Sequence, residues 1–428
     1  MKTLIIGNGV TGVTAALTIR ELQPDWDITI VSEESEFFFS RTALMYIYMG
    51  HMRLEDTRPH EKDFWHRKRL DLLQAQVTGI DTAARQVRLD DSRTIGYDQL
   101  LIATGSQSNR FGWPGQDLDG VQGLYSLQDL ARLEAESPRI RRGVIVGGGL
   151  IGIELAEMLH SRGVEVTILA RESSYWNNIL PQAESELIND VIRENGVDLR
   201  LGSELREIID DGTGRACAVV TGAGERIECQ FVGLTAGVSP NLTALTGSSI
   251  PTGRGVLVDT GFRTAVPGVF AAGDCAEIVA PEGGRNRFEQ LWYTGKMHGR
   301  VVGTNMAGGD VEYDRGIWFN SAKFFDLEWH TYGQVPGALA EPDPGPERSL
   351  YWQHADRRHA FRLVMDQGVV IGFNAMGIRF RHRICERWIA EQRPAAYVLE
   401  HLQGAVFDPE FQRKYVAEIA VSLQEQKR

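Results

Sequence analysis

Two glycine triplets in this chain have the spacing that lets a peptide turn sit against a pyrophosphate. The first, Gly7-x-Gly9-x-x-Gly12, lies between an apolar run (residues 3–6) and a helical pattern containing Ala15 and Ala16. A second apolar run (28–31) follows, and then the acids Glu33 and Glu34. The three glycines have different roles. Gly7 makes the tight turn, Gly9 lets the phosphates approach, and Gly12 lets helix pack on strand. The free N–H groups and positive dipole end of the helix would then hold the phosphates. An acid after the second strand takes a ribose hydroxyl, a part open to Glu33 or Glu34. The same order recurs at Gly147, Gly149 and Gly152, after an apolar run at 144–146. Two complete units imply two bound dinucleotides.

Two further segments accompany them. In "TAVPGVFAAGDCAEI" an apolar strand (269–272) ends in Gly273-Asp274, placing a carboxylate at the strand end where such sheets bind ligands. In "LLIATGS" another strand ends at Ala103-Thr104-Gly105, where the chain would cross between domains.

Elements that position these turns need a chain of domain size, and 428 residues predict two or three domains. With 43% hydrophobic and 24% charged residues, the composition is that of an ordinary globular enzyme. A net charge of −12 argues against nucleic-acid binding. No apolar run approaches the roughly 18 residues that span a bilayer, and no leader pattern precedes the first strand, so the expected location is cytoplasmic. Cys217, Cys229, Cys275 and Cys385 are far apart, with neither a C-x-x-C pair nor metal-ligand spacing, so neither a metal nor a disulfide framework is expected.

The order of Gly7/Gly9/Gly12, Ala103-Thr104-Gly105, Gly147/Gly149/Gly152 and Ala271-Ala272-Gly273-Asp274 resembles the two-dinucleotide-binding-domain flavoproteins of the pyridine nucleotide-disulfide oxidoreductase superfamily. The resemblance covers residues 1 to about 312. It implies an α/β fold with FAD on the first unit and NAD(P)H on the second. The FAD domain would be split into 1–112 and 245–312, with the NAD(P)H domain at 113–244 and an α+β interface domain at 313–428. It adds Val10, Thr11, Thr42 and Val77 to the FAD-lining set. "TAGVSPN", with Gly237, matches the return crossover, and Glu289, Gln290 and Leu291 precede the helix aimed at the flavin.

The segment "SEESEFFFSRTAL" resembles ferredoxin and rubredoxin reductases, apoptosis-inducing factor and nitrite-reductase flavin domains. By that resemblance Glu33 holds the adenosine ribose and Arg41 lies along the FAD. The departures carry equal weight. Residues 37–50, "FFFSRTALMYIYMG", contain no cysteine; Thr42 stands where single-cysteine relatives have theirs. Neither Ser40 nor Thr42 can supply a thiolate, which excludes a dithiol relay. Cys275 reads as a packing residue. Some relatives pair a lysine with a glutamate beside flavin N5; Glu154 matches the glutamate, but Tyr46 replaces the lysine.

Ala170 and Arg171 follow the second strand of the second unit, and an arginine there suits a 2′-phosphate. Gly152 and Glu172 point the other way, and the balance leans to NADPH. From Tyr313 an aromatic, strand-like pattern resembles the family's interface domain, bringing Asn320-Ser321-Ala322-Lys323-Phe324 toward the flavin, with Trp318 and Trp329 as core. Arg379, Arg381, Arg383 and Arg387 in the helical tail read either as a docking patch for an acidic redox protein or partner subunit, or as a solvated helix face. The expected activity is an FAD-dependent NAD(P)H oxidoreductase passing electrons directly to a small iron–sulfur protein. A quinone or small-molecule reductase and a redox-regulated, apoptosis-inducing-factor-like binding protein are the alternatives.

Overall fold

Alternating apolar runs and glycine-opened helices form parallel sheets because each crossover helix covers one sheet face. The computed structural model describes residues 1–281, 284–341, 345 and 347–426. Contacts divide the chain into two units: residues 1–109, 123–138 and 237–315, and residues 110–122, 139–236 and 316–428.

The first unit is built on a five-stranded parallel sheet ordered Val269–Ala271, Gln99–Ile102, Lys2–Ile6, Asp27–Ser32, Leu70–Gln74. The strands Lys2–Ile6, Gln99–Ile102 and Val269–Ala271 are buried on both faces, as parallel strands covered by helices must be, while the edge strand Leu70–Gln74 is partly exposed. Helix Val10–Leu22 packs on helix Trp292–Met306 through Gly295, Gly299 and Gly303. A Cβ at Gly299 would lie 2.6 Å from Thr11 O, and one at Gly303 2.8 Å from Ala15 O, so only glycine permits this approach. A small antiparallel sheet, Val77–Asp81, Gln86–Leu89 and Thr94–Gly96, completes the unit. Helix Leu127–Glu136 also belongs here, although the expected boundaries put it in the NAD(P)H domain. Its Ser126–Asp129 capping box fixes the start, and Leu127 N–H donates to Glu34 (2.9 Å).

The second unit contains the parallel sheet Asp198–Leu201, Glu165–Ala170, Arg142–Val146, Phe231–Leu234, Val121–Gln122. It is followed by the antiparallel sheet Leu205–Asp210, Ala216–Thr221, Arg226–Glu228. The expected separate interface domain clusters with this unit. It is a five-stranded antiparallel sheet (Phe319–Phe324, Leu327–Gly333, Val369–Met376, Ala360–Asp366, Ser349–Gln353) followed by helices His382–Ala390, Ala395–Ala405 and Pro409–Gln426. A buried pair explains the grouping: Arg362 grips Glu184 of helix Gln182–Glu194 bidentately, at 2.6 and 2.7 Å. Both side chains are at most 9% exposed, so removing either partner strands a buried charge. Trp329 is core, as expected, and Trp318 is half-buried. Among the described residues, no helix is long and apolar enough to cross a membrane.

Candidate functional site

In the first unit, Gly7 adopts φ +110°, and a Cβ there would strike Ala103 O at 2.1 Å. At Gly12 a Cβ would meet Gly7 O at 2.0 Å. Gly9, the cap of the helix, has nothing within 4 Å of its Cβ position and no side-chain cap bond. Two of the three glycines are thus closed by the protein's own backbone. The third opens onto free space beside uncapped helix N–H groups, which is the cradle a pyrophosphate needs, and the residues fit a dinucleotide. Val10 begins the helix. Thr11 turns inward, donating to Gly295 O (3.0 Å) and packing against Gly273. Asn8, unmarked by the sequence pattern, braces the loop after the second strand through Ser35 O (2.8 Å) and Phe37 O (3.0 Å).

Of the two candidate acids, Glu33 is exposed, whereas Glu34 is already engaged. Arg41 forks onto Glu34 at 2.9 and 2.5 Å and donates to Tyr125 O (2.5 Å), its guanidinium 4.4 Å from the Tyr125 ring centre. Of the two, Glu33 is the one whose side chain stands exposed. Thr42 is exposed, and Val77 is buried at the start of its strand. Tyr46 lies on the short helix Leu44–Tyr48, its ring stacked 6.1 Å from His51.

The strand ends converge on Asp274. Ser106 Oγ donates to Asp274 Oδ2 (3.1 Å), and Gln290 Nε2 donates to Ser106 Oγ (3.0 Å). Burial raises the Asp274 carboxyl above its ordinary value, opposed by the Ser106 hydrogen bond and the nearby Arg41 charge. Gly105 is at φ +69°, and a Cβ there would lie 2.6 Å from the Tyr125 hydroxyl, which accepts the Ser106 N–H. Thr104 Oγ1 donates to Asn241 O (2.6 Å), and Ser106–Ser108 pairs with Val238–Pro240, so the two crossover segments run side by side. Gly237, at φ +85°, begins the return. Glu289 is buried against Tyr313 (2.5 Å) and His298 (3.6 Å), and His298 Nδ1 accepts the Gly273 N–H (3.2 Å). Leu291 is the residue before the helix, and Trp292 and Tyr293 are exposed in its first turn. Cys275 is fully buried, and burial raises its thiol pKa; this is a packing residue, not a thiolate.

The second unit repeats the turn. Gly147 is at φ +128° with Thr235 O 2.6 Å from its Cβ position, Gly152 meets Gly147 O at 2.6 Å, and Gly149 is open. The helix behind it carries charge. Burial, then the neighbouring Glu157 charge, pushes the Glu154 carboxyl up to about 7. Glu157, one turn on and buried, takes a hydrogen bond from Lys323 Nζ at 2.6 Å. Strand Phe319–Phe324 thus brings a lysine to this helix, at Glu157 rather than at Glu154. Local sequence carries no sign of this, because the partners are 166 residues apart.

Ala170 ends its strand fully buried; Arg171 is exposed and bonds Glu172 (3.2 Å). A Cβ at Gly148 would lie 3.2 Å from Glu172 Oε2, so this carboxylate stands at the glycine turn itself. The lean toward a 2′-phosphate rests on Arg171, whose guanidinium is held by that acid.

The model of the pyridine nucleotide-disulphide oxidoreductase family matches residues 1–299. The chain is 30% identical over 397 residues to the ferredoxin–NAD(+) reductase component of the p-cumate 2,3-dioxygenase system of Pseudomonas putida, covering 91% of this chain and 94% of that one. It is 29% identical over 370 residues to a terpredoxin reductase of Pseudomonas sp, covering 86% and 88%. Its fold matches a ferredoxin reductase of Rhodopseudomonas palustris (TM-score 0.78, 22% identity, 88% and 91% covered) and the reductase–putidaredoxin complex (TM-score 0.80, 20% identity, 92% and 94% covered). With both nucleotide turns built, the chain belongs to the pyridine nucleotide-disulphide oxidoreductase family, as an FAD- and NAD(P)H-dependent oxidoreductase.

Proposed function

We propose that this protein is a cytoplasmic reductase that draws electrons from NADH and hands them to a small iron–sulfur protein. The observation that carries the reading is the thiol-free segment 37–50, whose charged side chain nearest the nucleotide turn, Arg41, is locked to Glu34. Segment 37–50 holds no cysteine and Cys275 is sealed in the core, so neither supplies a thiol between cofactor and acceptor. Bound FAD supplies the chemistry that side chains lack, taking a hydride and releasing single electrons. The chain's residues orient and exclude. Gly7, Gly9 and Gly12 with Glu33 hold one dinucleotide; Ser106, Gln290 and Arg41 fix the Asp274 end of that site. Gly147, Gly149 and Gly152 hold the nicotinamide nucleotide.

Glu172 favours NADH, since a carboxylate at the glycine turn accepts from ribose hydroxyls and repels a 2′-phosphate. Glu154, with a value near neutrality, holds or releases a proton at the helix behind that turn. The relatives named for ferredoxin and terpredoxin support an iron–sulfur acceptor. So do Arg381, Arg383 and Arg387, exposed basic side chains on an otherwise acidic chain, which would steer an acidic partner.

The test is anaerobic flavin reduction with NADH and NADPH, followed by turnover with a [2Fe–2S] ferredoxin and with a soluble quinone. The expected result is kcat/KM for ferredoxin at least about tenfold above that for quinone, a difference of roughly 1.4 kcal/mol. Equal rates would sink the protein-acceptor reading in favour of a small-molecule reductase.

A further inference from the structure

Away from both nucleotide turns, the loop joining Ser349–Gln353 to Ala360–Asp366 carries the sequence His354-x-Asp356-x-x-His359. Among the described residues it is a group whose ligand atoms all lie within 4.8 Å of one another. The Nδ1 atoms of His354 and His359 face the same atom, Asp356 Oδ2, at 2.8 and 2.9 Å. Tetrahedral ligands at zinc bond lengths are about 3.3 Å apart, so a small outward shift makes room for an ion.

The side chains are fixed before any ion arrives. Asp356 Oδ1 accepts the Arg358 N–H (2.8 Å), which leaves Oδ2 to the histidines. The His359 ring stacks on Tyr415, centroids 4.0 Å apart and 20° between planes. His354 presents its other nitrogen, Nε2, to Glu418 Oε2 at 3.9 Å. A ligand histidine whose far nitrogen faces a carboxylate is the usual outer support of a metal site. The Asp356 N–H also lies 3.3 Å from His354 Nδ1. The loop's two arginines turn away, Arg357 to Asp190 and Arg358 to Glu194 (2.5 Å).

We infer that His354, Asp356 and His359 form a binding site for a divalent transition-metal ion of the zinc class. Two imidazoles and one carboxylate suit such an ion and are too few oxygens for calcium or magnesium. Water fills the fourth position. Because Tyr415 and Glu418 belong to helix Pro409–Gln426, the ion would pin that helix to the sheet. The role is structural and independent of electron transfer.

The test titrates Zn2+ into chelator-treated, FAD-loaded full-length protein by calorimetry, and records the Co2+ absorption spectrum. One equivalent is expected to bind, with tetrahedral Co2+ bands and a higher Tm. D356N and H359Q should each weaken binding at least about tenfold, and E418Q less. Flavin absorbance reports that each variant is folded. Zn2+ binding that is unchanged in both D356N and H359Q overturns the assignment, as does wild-type protein that takes up no Zn2+ at micromolar concentration.

Discussion

The two nucleotide-binding turns share a backbone and differ in what surrounds it. In both, the first and third glycines are closed by backbone atoms and the second is open. Around Gly9, Thr11 ties the helix to Gly295, three glycines press a second helix onto it, and Arg41 is spent on Glu34. Around Gly149 the frame carries three acids instead. Glu154 sits near neutrality, Glu157 keeps one buried oxygen unpaired, and Glu172 is one-fifth exposed at the turn. The difference teaches that the same glycine turn can be framed by differently paired charges.

The sharpest way to break this comparison is a matched pair of substitutions. Gly12→Ala drives a methyl to within 2.0 Å of the Gly7 carbonyl, so the protein should purify without flavin, read as lost visible absorbance. Gly149→Ala meets no protein atom, so folding and flavin content should stay normal while KM for NADH rises about tenfold or more, the loss of phosphate approach costing at least ~1.4 kcal/mol. Flavin-replete Gly12→Ala would refute the closed-turn account.

Next in size is Glu172→Gln. The ratio of kcat/KM for NADH over NADPH should fall about tenfold, because the repulsion toward a 2′-phosphate is removed. An unchanged ratio would return the specificity to Arg171.

Glu154 gives a pH prediction. Its folded value, about 7, lies above the ordinary 4.5, because burial and Glu157 disfavour the charge. The neutral form is favoured in the fold, so its contribution to stability is full below about 4.5 and is lost as pH rises toward about 7. The rate of flavin reduction by NADH should inflect near that same pH. Glu154→Gln should flatten both profiles in stopped-flow and thermal melts; a persisting inflection assigns the proton elsewhere.

The smallest effect is expected at Cys275→Ser. Burial holds this group as a thiol, so turnover should change by less than about twofold. A large loss would reopen a thiol step.

Much of the first turn and its sheet is readable in the chain, since glycine spacing, strand period and the following acids are local signals. The fingerprint strands and helices stand where those signals put them, as does the Gly273-Asp274 turn. The roles of Glu33 and Glu34 are not separable by reading, because what distinguishes them is Arg41 folding back seven residues onto one of them. Tyr125, 84 residues from Arg41, carries no motif at all. Helix Leu127–Glu136 falls outside its expected domain because its capping box reports where it starts, not what it packs against. The sheet beginning at Phe319 is legible as strands, but not its ion pairs to helices more than 160 residues earlier.

By itself, then, the sequence determined the two dinucleotide turns, the absence of a redox cysteine pair and the order of the elements. These depend on backbone freedom and side-chain type within a few residues. The tertiary structure decided which acid is free, where the lysine beside Glu157 comes from, and which charge stands at the second glycine turn. Each is a contest among charged groups for partners, and only folding brings the competitors within a few ångströms of one another.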